Sequence, residues 1–223
     1  MVATLPDRDS YFALWSQLHG GYDPQAAFWP RHWLTVSYHC ARPLARAGVG
    51  PNVVTGGGGL LSAGVVGLAR LGGRWPLLGA AVVVSSGLVD SLDGAVAVLT
   101  DRATPFGYVL DSAVDRLSDG CYLGALRLLG APPWLCVAGG ALTMGQEYLR
   151  ARAGNAGFDG LGVVTVAERP TRVIVAAAAL LVAGCFPARS TGAGTAGGAA
   201  WLVLGAAGFS QLATSVRRGL ANG

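Results

Sequence analysis

Of 223 residues, 52% are hydrophobic and only 13% charged, the formal net charge is +4 and the mean hydropathy is +0.48. A water-soluble domain of this length would carry about a quarter charged residues, so the composition argues against an ordinary soluble enzyme and for a membrane protein. The 35 glycines agree, because helices in lipid tolerate glycine and use it for close packing. No nucleic-acid partner is expected.

The first 30 residues hold Asp7, Asp9 and Asp23 and no long apolar core. They lack the basic start and small-residue cleavage site of a signal peptide, and read as an N-terminal cytoplasmic segment ahead of one membrane domain over residues 31–218. Residues 31–48, RHWLTVSYHCARPLARAG, set Trp33, Leu34 and Tyr38 in helical phase with Arg31, Arg42 and Arg46. That pattern suits an amphipathic helix lying in the membrane interface, with a short soluble helix as the alternative. Six apolar segments follow at 52–71, 75–98, 106–129, 132–152, 169–186 and 195–217, separated by LGGRW, TDRATP, GAPP and similar breaks. Each is near the roughly 20 residues that cross a bilayer. The expected fold is therefore an all-α integral membrane protein, six transmembrane helices preceded by an interfacial amphipathic helix.

All 16 basic residues are arginine. With the N terminus inside, most of them fall on the cytoplasmic side, and by the positive-inside rule both termini and the 99–105 loop are expected there. The acidic residues beside that loop are the chain's most informative feature. Asp90 and Asp93 close the second apolar segment, and Asp111 and Asp115 lie one turn apart in the third. An ionisable group at membrane depth costs at least ~2.5–3.5 kcal/mol, so such residues mark function. Positions three and four apart share a helix face, and a short loop makes the two helices antiparallel neighbours, so the carboxylates are expected to converge. Four negative charges at close range repel strongly unless cations neutralise them. Hard divalent ions with oxygen ligands do this, Mg²⁺ or Mn²⁺ with substrate phosphates completing the shell. Arg102 and Arg116 could form ion pairs, but two arginines do not balance four aspartates. Gly94 and Gly107 leave bare helix backbone for a bulky ligand.

The spacing Asp90-x2-Asp93-Gly94-x2-Ala97-Val98-x8-Gly107-x3-Asp111-x3-Asp115 resembles the signature of the CDP-alcohol phosphotransferases. It departs from that signature only at Val98, where the family has arginine. Pro51-Asn52-x2-Thr55 resembles the family's entry segment. The resemblance implies metal-dependent transfer of a phosphatidyl group from a CDP-activated lipid to an alcohol, with release of CMP. It implies Asp90, Asp93, Asp111 and Asp115 as metal ligands, with Asp115 also taking the proton of the attacking hydroxyl. Asn52, Thr55, Gly94, Ala97 and Gly107 would bind the donor. It also suggests a homodimer.

Arg150-Ala151-Arg152-Ala153 and Glu168-Arg169-Pro170 are similar to segments of the branch that makes phosphatidylinositol phosphate. There they supply a pocket for the acceptor's own phosphate. Arg150, Arg152, Arg169 and Arg217 are the matching candidates here, since guanidinium groups hold phosphate bidentately; the alternative is that they anchor helix ends to anionic headgroups. Valine at 98 removes a cation from a site for a polyanion. Either Arg102 compensates, or the aspartates serve another diphosphate, as in a membrane enzyme that ionises a prenyl diphosphate. A non-catalytic lipid-binding relative is the third possibility. The scattered cysteines 40, 121, 136 and 185 read as packing residues, and His19, His32 and His39 show no ligand pattern. The GGGG run after Thr55 reads as a helix-packing face, Asp119 as a polar contact within the helix bundle, and Asp101 as a solvated loop residue.

Overall fold

A computed structural model describes residues 5–18, 21–158 and 163–221; His19 lies outside them. Among the described residues there are eight α-helices, two short 3-10 turns and no strand. The first helix, α1 (Arg8–Leu18), lies in the segment that precedes the apolar pattern. It begins where the Ser10 N–H donates to the Asp7 carboxylate at 2.8 Å, a capping bond that holds the Asp7 pKa below the ordinary aspartate value. The next, α2 (Phe28–Arg46), starts a few residues before the expected interfacial helix. Its buried stripe is Leu34, Tyr38, Ala41 and Ala45, at four- and three-residue spacing, while Trp29 and Trp33 stay exposed.

Each of the six apolar segments becomes a helix. They are α3 (Pro51–Leu71), α4 (Trp75–Thr100), α5 (Pro105–Leu129), α6 (Pro133–Asn155), α7 (Arg169–Cys185) and α8 (Ser190–Ala221). Among the described residues, three stretches are long and apolar enough to cross a membrane on their own: Pro51–Leu71, Trp75–Thr100 and Pro187–Ala221. The others differ for physical reasons. Residues Asp111, Asp115, Arg116, Asp119 and Arg127 interrupt α5, Glu147, Arg150 and Arg152 sit in α6, and α7 has only 17 residues. Glycine closes two of the turns because the backbone enters the left-handed region there. Gly72 and Gly73 have φ of 64° and 56°. At Gly130 (φ 117°) a Cβ would also lie 2.9 Å from the Thr191 hydroxyl.

The chain divides into two compact units, one of residues 1–60 with 85–115 and one of 61–84 with 116–223. In the first, Tyr11 and Phe12 of α1 join Leu34, Tyr38 and Ala41 of α2, Val54 of α3 and Leu92, Val96 and Leu99 of α4 in one apolar cluster. The Tyr11 and Tyr38 rings lie 5.5 Å apart, the Tyr38 hydroxyl donates to the Pro6 carbonyl at 3.3 Å, and the Trp33 indole N–H donates to the Ser91 hydroxyl at 2.9 Å. Of the glycine run after Thr55, Gly58 and Gly59 form a packing face, where a Cβ would lie 3.3 Å from Val89 or 3.0 Å from Val114, while a Cβ at Gly56 or Gly57 would meet nothing within 4 Å.

In the second unit Val65, Val83, Tyr122, Leu126, Leu180 and Trp201 centre the core. The Trp201 indole N–H donates to Thr143 at 3.0 Å. Gly194 and Gly197 let α8 approach closely, since a Cβ at either would fall within 3 Å of Leu126 O or Ala179. Asp119 is the polar contact expected of it: it is 2% exposed and pairs with Arg172 at 3.3 Å and Arg116 at 3.7 Å. Arg116 also meets Glu147 at 3.0 Å. These charges neutralise one another, as burial requires.

Candidate active site

Asp90 of α4 and Asp111 and Asp115 of α5 each offer a carboxylate oxygen, and these oxygens lie within 4.8 Å of one another. All three residues are half-buried. Asp93 does not join this group of three. Its carboxylate accepts the Thr55 hydroxyl at 2.6 Å and the Gly94 N–H, in a buried position. Thr55 therefore holds Asp93 in place.

A cavity of about 630 Å³ opens beside the aspartates. Its walls bring together Asn52, Thr55, Asp90, Asp93, Gly94, Ala97, Gly107 and Asp111, eight of the nine positions the sequence assigned to metal and donor; Asp115 is not among its lining residues. The two glycines act differently. A Cβ at Gly94 would meet no atom within 4 Å, so a side chain there would fill cavity space. One at Gly107 would crowd Asn52 Oδ1 at 3.2 Å and Thr104 Oγ1 at 3.1 Å.

Val98 lines this cavity and packs against the α1–α2 cluster. Arg102 lines it too. The backbone explains why a residue four positions on returns to the same wall. Asp101 takes a left-handed φ of 52°, the one non-glycine to do so among the described residues. The Arg102 N–H then bonds back to the Ala97 carbonyl at 2.9 Å, closing α4 with a Schellman-type turn. A second cavity, of about 1060 Å³, shares Leu18, Ala97, Val98, Arg102 and Ala103 with the first and adds Arg42 and Arg46, so Arg102 stands where the two meet. Residues to which the sequence assigned no site role also line this cavity: Tyr11, Trp15 and Leu18 of α1, Trp33 and Leu34 of α2, and Tyr108 of α5. The first three are spaced by four and three residues, an amphipathic signal present in YFALWSQL.

The acceptor candidates belong to the second unit. Arg150 is bound to Glu168 at 2.9 Å and to the Val163 carbonyl at 3.3 Å. Burial works to raise the Glu168 pKa, but the Thr165 N–H and hydroxyl and the Arg150 guanidinium outweigh it and hold the carboxyl below the ordinary glutamate value. Arg152 and Arg217 are exposed. They flank Ala153 and Val216, which pack together with Phe158 and Leu212. Arg169 is half-buried at the first turn of α7.

Comparison with known proteins gives the family. The model of the CDP-alcohol phosphatidyltransferase family matches residues 49–209. The chain belongs to this family. A phosphatidylinositol phosphate synthase of Mycobacterium marinum is 38% identical over 146 residues, 60% of this chain and 59% of the relative. An archaetidylinositol phosphate synthase of Aeropyrum pernix is 33% identical over 140 residues, 59% of this chain and 68% of the relative. The match thus spans less than two thirds of the first of these. In three dimensions the chain is similar to the phosphatidylinositol phosphate synthase of Mycobacterium tuberculosis. The crystal structure of that enzyme with CDP-DAG bound superposes at a TM-score of 0.64, with 27% identity, over 83% of this chain and 94% of the other. Its complex with manganese and citrate gives 0.64 and 29%, over 81% and 88%.

Proposed function

We propose that the chain transfers a phosphatidyl group from a CDP-activated lipid to a phosphorylated polyol of the inositol phosphate type, releasing CMP. The observation that carries this is the cavity in which Asp90, Asp93 and Asp111 and every residue assigned to the donor meet, with Asp115 beside Asp90 and Asp111. The relatives' names, and the CDP-DAG held by the M. tuberculosis enzyme, support the donor and the acceptor class.

The donor set fits a hard divalent cation. Opposite ligands of Mg²⁺ stand about 4.2 Å apart, so oxygens within 4.8 Å need little adjustment to share one. Asp90, Asp111 and Asp115 would hold Mg²⁺ or Mn²⁺, with Asp93 completing the acidic wall. Such an ion supplies charge neutralisation for the diphosphate and acidifies a nearby hydroxyl. The acceptor oxygen bonds to the lipid-linked phosphorus, the bond from that phosphorus to CMP breaks with its electron pair leaving on CMP, and Asp115 takes the hydroxyl proton. Asn52, Ala97 and the open face at Gly94 receive the nucleotide, Thr55 orients Asp93, and Arg102 supplies the cation missing at 98. Arg152, Arg169 and Arg217 bind the acceptor phosphate, and Arg150 braces Glu168 beside them. The helices make six crossings, with α2 in the interface and both termini and the aspartates on the cytoplasmic side.

Purified protein given Mg²⁺, labelled CDP-diacylglycerol and inositol phosphate tests the reading. It requires CMP release that depends on the acceptor. Pyrophosphate release from a prenyl diphosphate, with no reaction of the CDP-lipid, would replace it with the second reading. Inertness toward both would leave a lipid-binding relative.

A further inference from the structure

The helix α1 lies outside residues 49–209, the part matched by the family model, yet it forms part of the wall of the donor cavity. Its attachment is firm: Tyr11 and Phe12 are 1% and 3% exposed in the first unit's core, and Tyr38 is bonded to Pro6 just ahead of the helix. That anchoring fixes the face that carries Tyr11, Trp15 and Leu18, all three on the cavity. Tyr11 is spent on packing. Trp15 is half-buried, its ring edge-on to Tyr22 at 6.3 Å. The same cavity includes the stretch of α4 where Gly94 and Ala97 carry almost no side chain. An indole in a cavity that also exposes bare helix suits a flat, aromatic, polar-edged group, and an aromatic side chain stacks on a nucleobase with little dependence on base edges.

We propose that Trp15 is a donor-recognition residue that stacks on the pyrimidine base of the nucleotide, and that α1 is an added wall of the donor site. This rests on the CDP-lipid reading above, which deepens from a nucleotide-linked donor to one gripped by its base. Because the base and the acyl chains are different parts of one donor, free CMP separates them: it carries the base and no lipid.

The test is direct CMP binding by calorimetry to detergent-purified, full-length protein, compared among wild type, Trp15→Phe and Trp15→Leu. Both variants keep an apolar side chain against the α1–α2 cluster, and only phenylalanine keeps an aromatic face. Loss of a base–aromatic stack corresponds to roughly a five- to hundredfold weakening, expected for Trp15→Leu, with Trp15→Phe within about threefold of wild type. The KM for CDP-diacylglycerol should rise by the same factor in Trp15→Leu with kcat unchanged. Unaltered CMP binding in Trp15→Leu overturns the proposal, and so does equal weakening in both variants. A raised donor KM with unmoved CMP binding places Trp15 against acyl chains and also overturns it. If wild type binds CMP and turns over no CDP-lipid, the reaction assignment fails while the binding comparison still decides the role of Trp15.

Discussion

Replacing Thr55 by valine removes one hydroxyl and keeps the side chain's shape. In the native site that hydroxyl donates to Asp93 Oδ2 at 2.6 Å, and the two residues are 5% and 6% exposed, so little water is at hand to take its place. A hydrogen bond to a carboxylate left without its donor in such a place costs about 1–3 kcal/mol. For a chain of this size that corresponds to a fall in thermal midpoint of roughly 2–12 °C. Asp93 also loses one of the two bonds that orient it in the cavity wall, keeping only that from the Gly94 N–H, so the KM for the CDP-lipid should rise more than the acceptor KM. Thr55→Ser, which restores the hydroxyl, should recover most of both effects. Circular dichroism melts in detergent and initial rates at varied donor concentration measure the two. A Thr55→Val protein that melts and binds donor like wild type would refute the pairing of Thr55 with Asp93 as an organising contact.

Arg102→Gln should raise the donor KM roughly tenfold, the effect of losing one partly screened charge contact, and Val98→Arg in the same chain should bring it back; steady-state kinetics of the single and double variants read both. Arg152→Lys and Arg169→Lys should raise the acceptor KM and leave donor KM and membrane orientation unchanged, because lysine keeps the charge and loses the bidentate fork; kinetics unaffected by either would assign these arginines to headgroup anchoring. The lowered pKa of Glu168 stabilises the fold fully above the unfolded value near 4.5 and ceases to as pH falls through the folded value. Acid unfolding below about pH 4.5 should therefore be steeper in wild type than in Glu168→Gln.

Local arithmetic made much of the site legible. The signature spacing placed Asp90, Asp111 and Asp115 together because i, i+4 steps and a short loop leave little freedom. It did not separate Asp93 from them. Three residues along a helix leave a rotation of about 60° between side chains, and which neighbour each one meets depends on the facing helix. Here α3 offers Thr55 to Asp93, while α5 offers Asp111 and Asp115 to Asp90. The bond between Arg150 and Glu168 crosses 18 positions and a loop, a contact no periodicity announces. The helix α1 was missed for another reason. Its first turns mix aromatic and charged residues in a segment judged by the absence of a long apolar run, so the four-and-three spacing of Tyr11, Trp15 and Leu18 carried the signal unread. Arg102 was visible as a nearby cation, but its return to the cavity wall depends on the left-handed backbone at Asp101, which aspartate tolerates better than most residues.

The central claim is that Asp90, Asp111 and Asp115 hold the divalent ion on which transfer depends. Its most direct measurement is Mn²⁺ titration of the purified protein by electron paramagnetic resonance, with acceptor-dependent CMP release followed in the same samples, for wild type and Asp111→Asn. The account predicts saturable Mn²⁺ binding in wild type that rises in step with CMP release, and loss of both in Asp111→Asn while the protein stays folded. Full activity of wild type in excess chelator, or unchanged Mn²⁺ binding and turnover in Asp111→Asn, would contradict it.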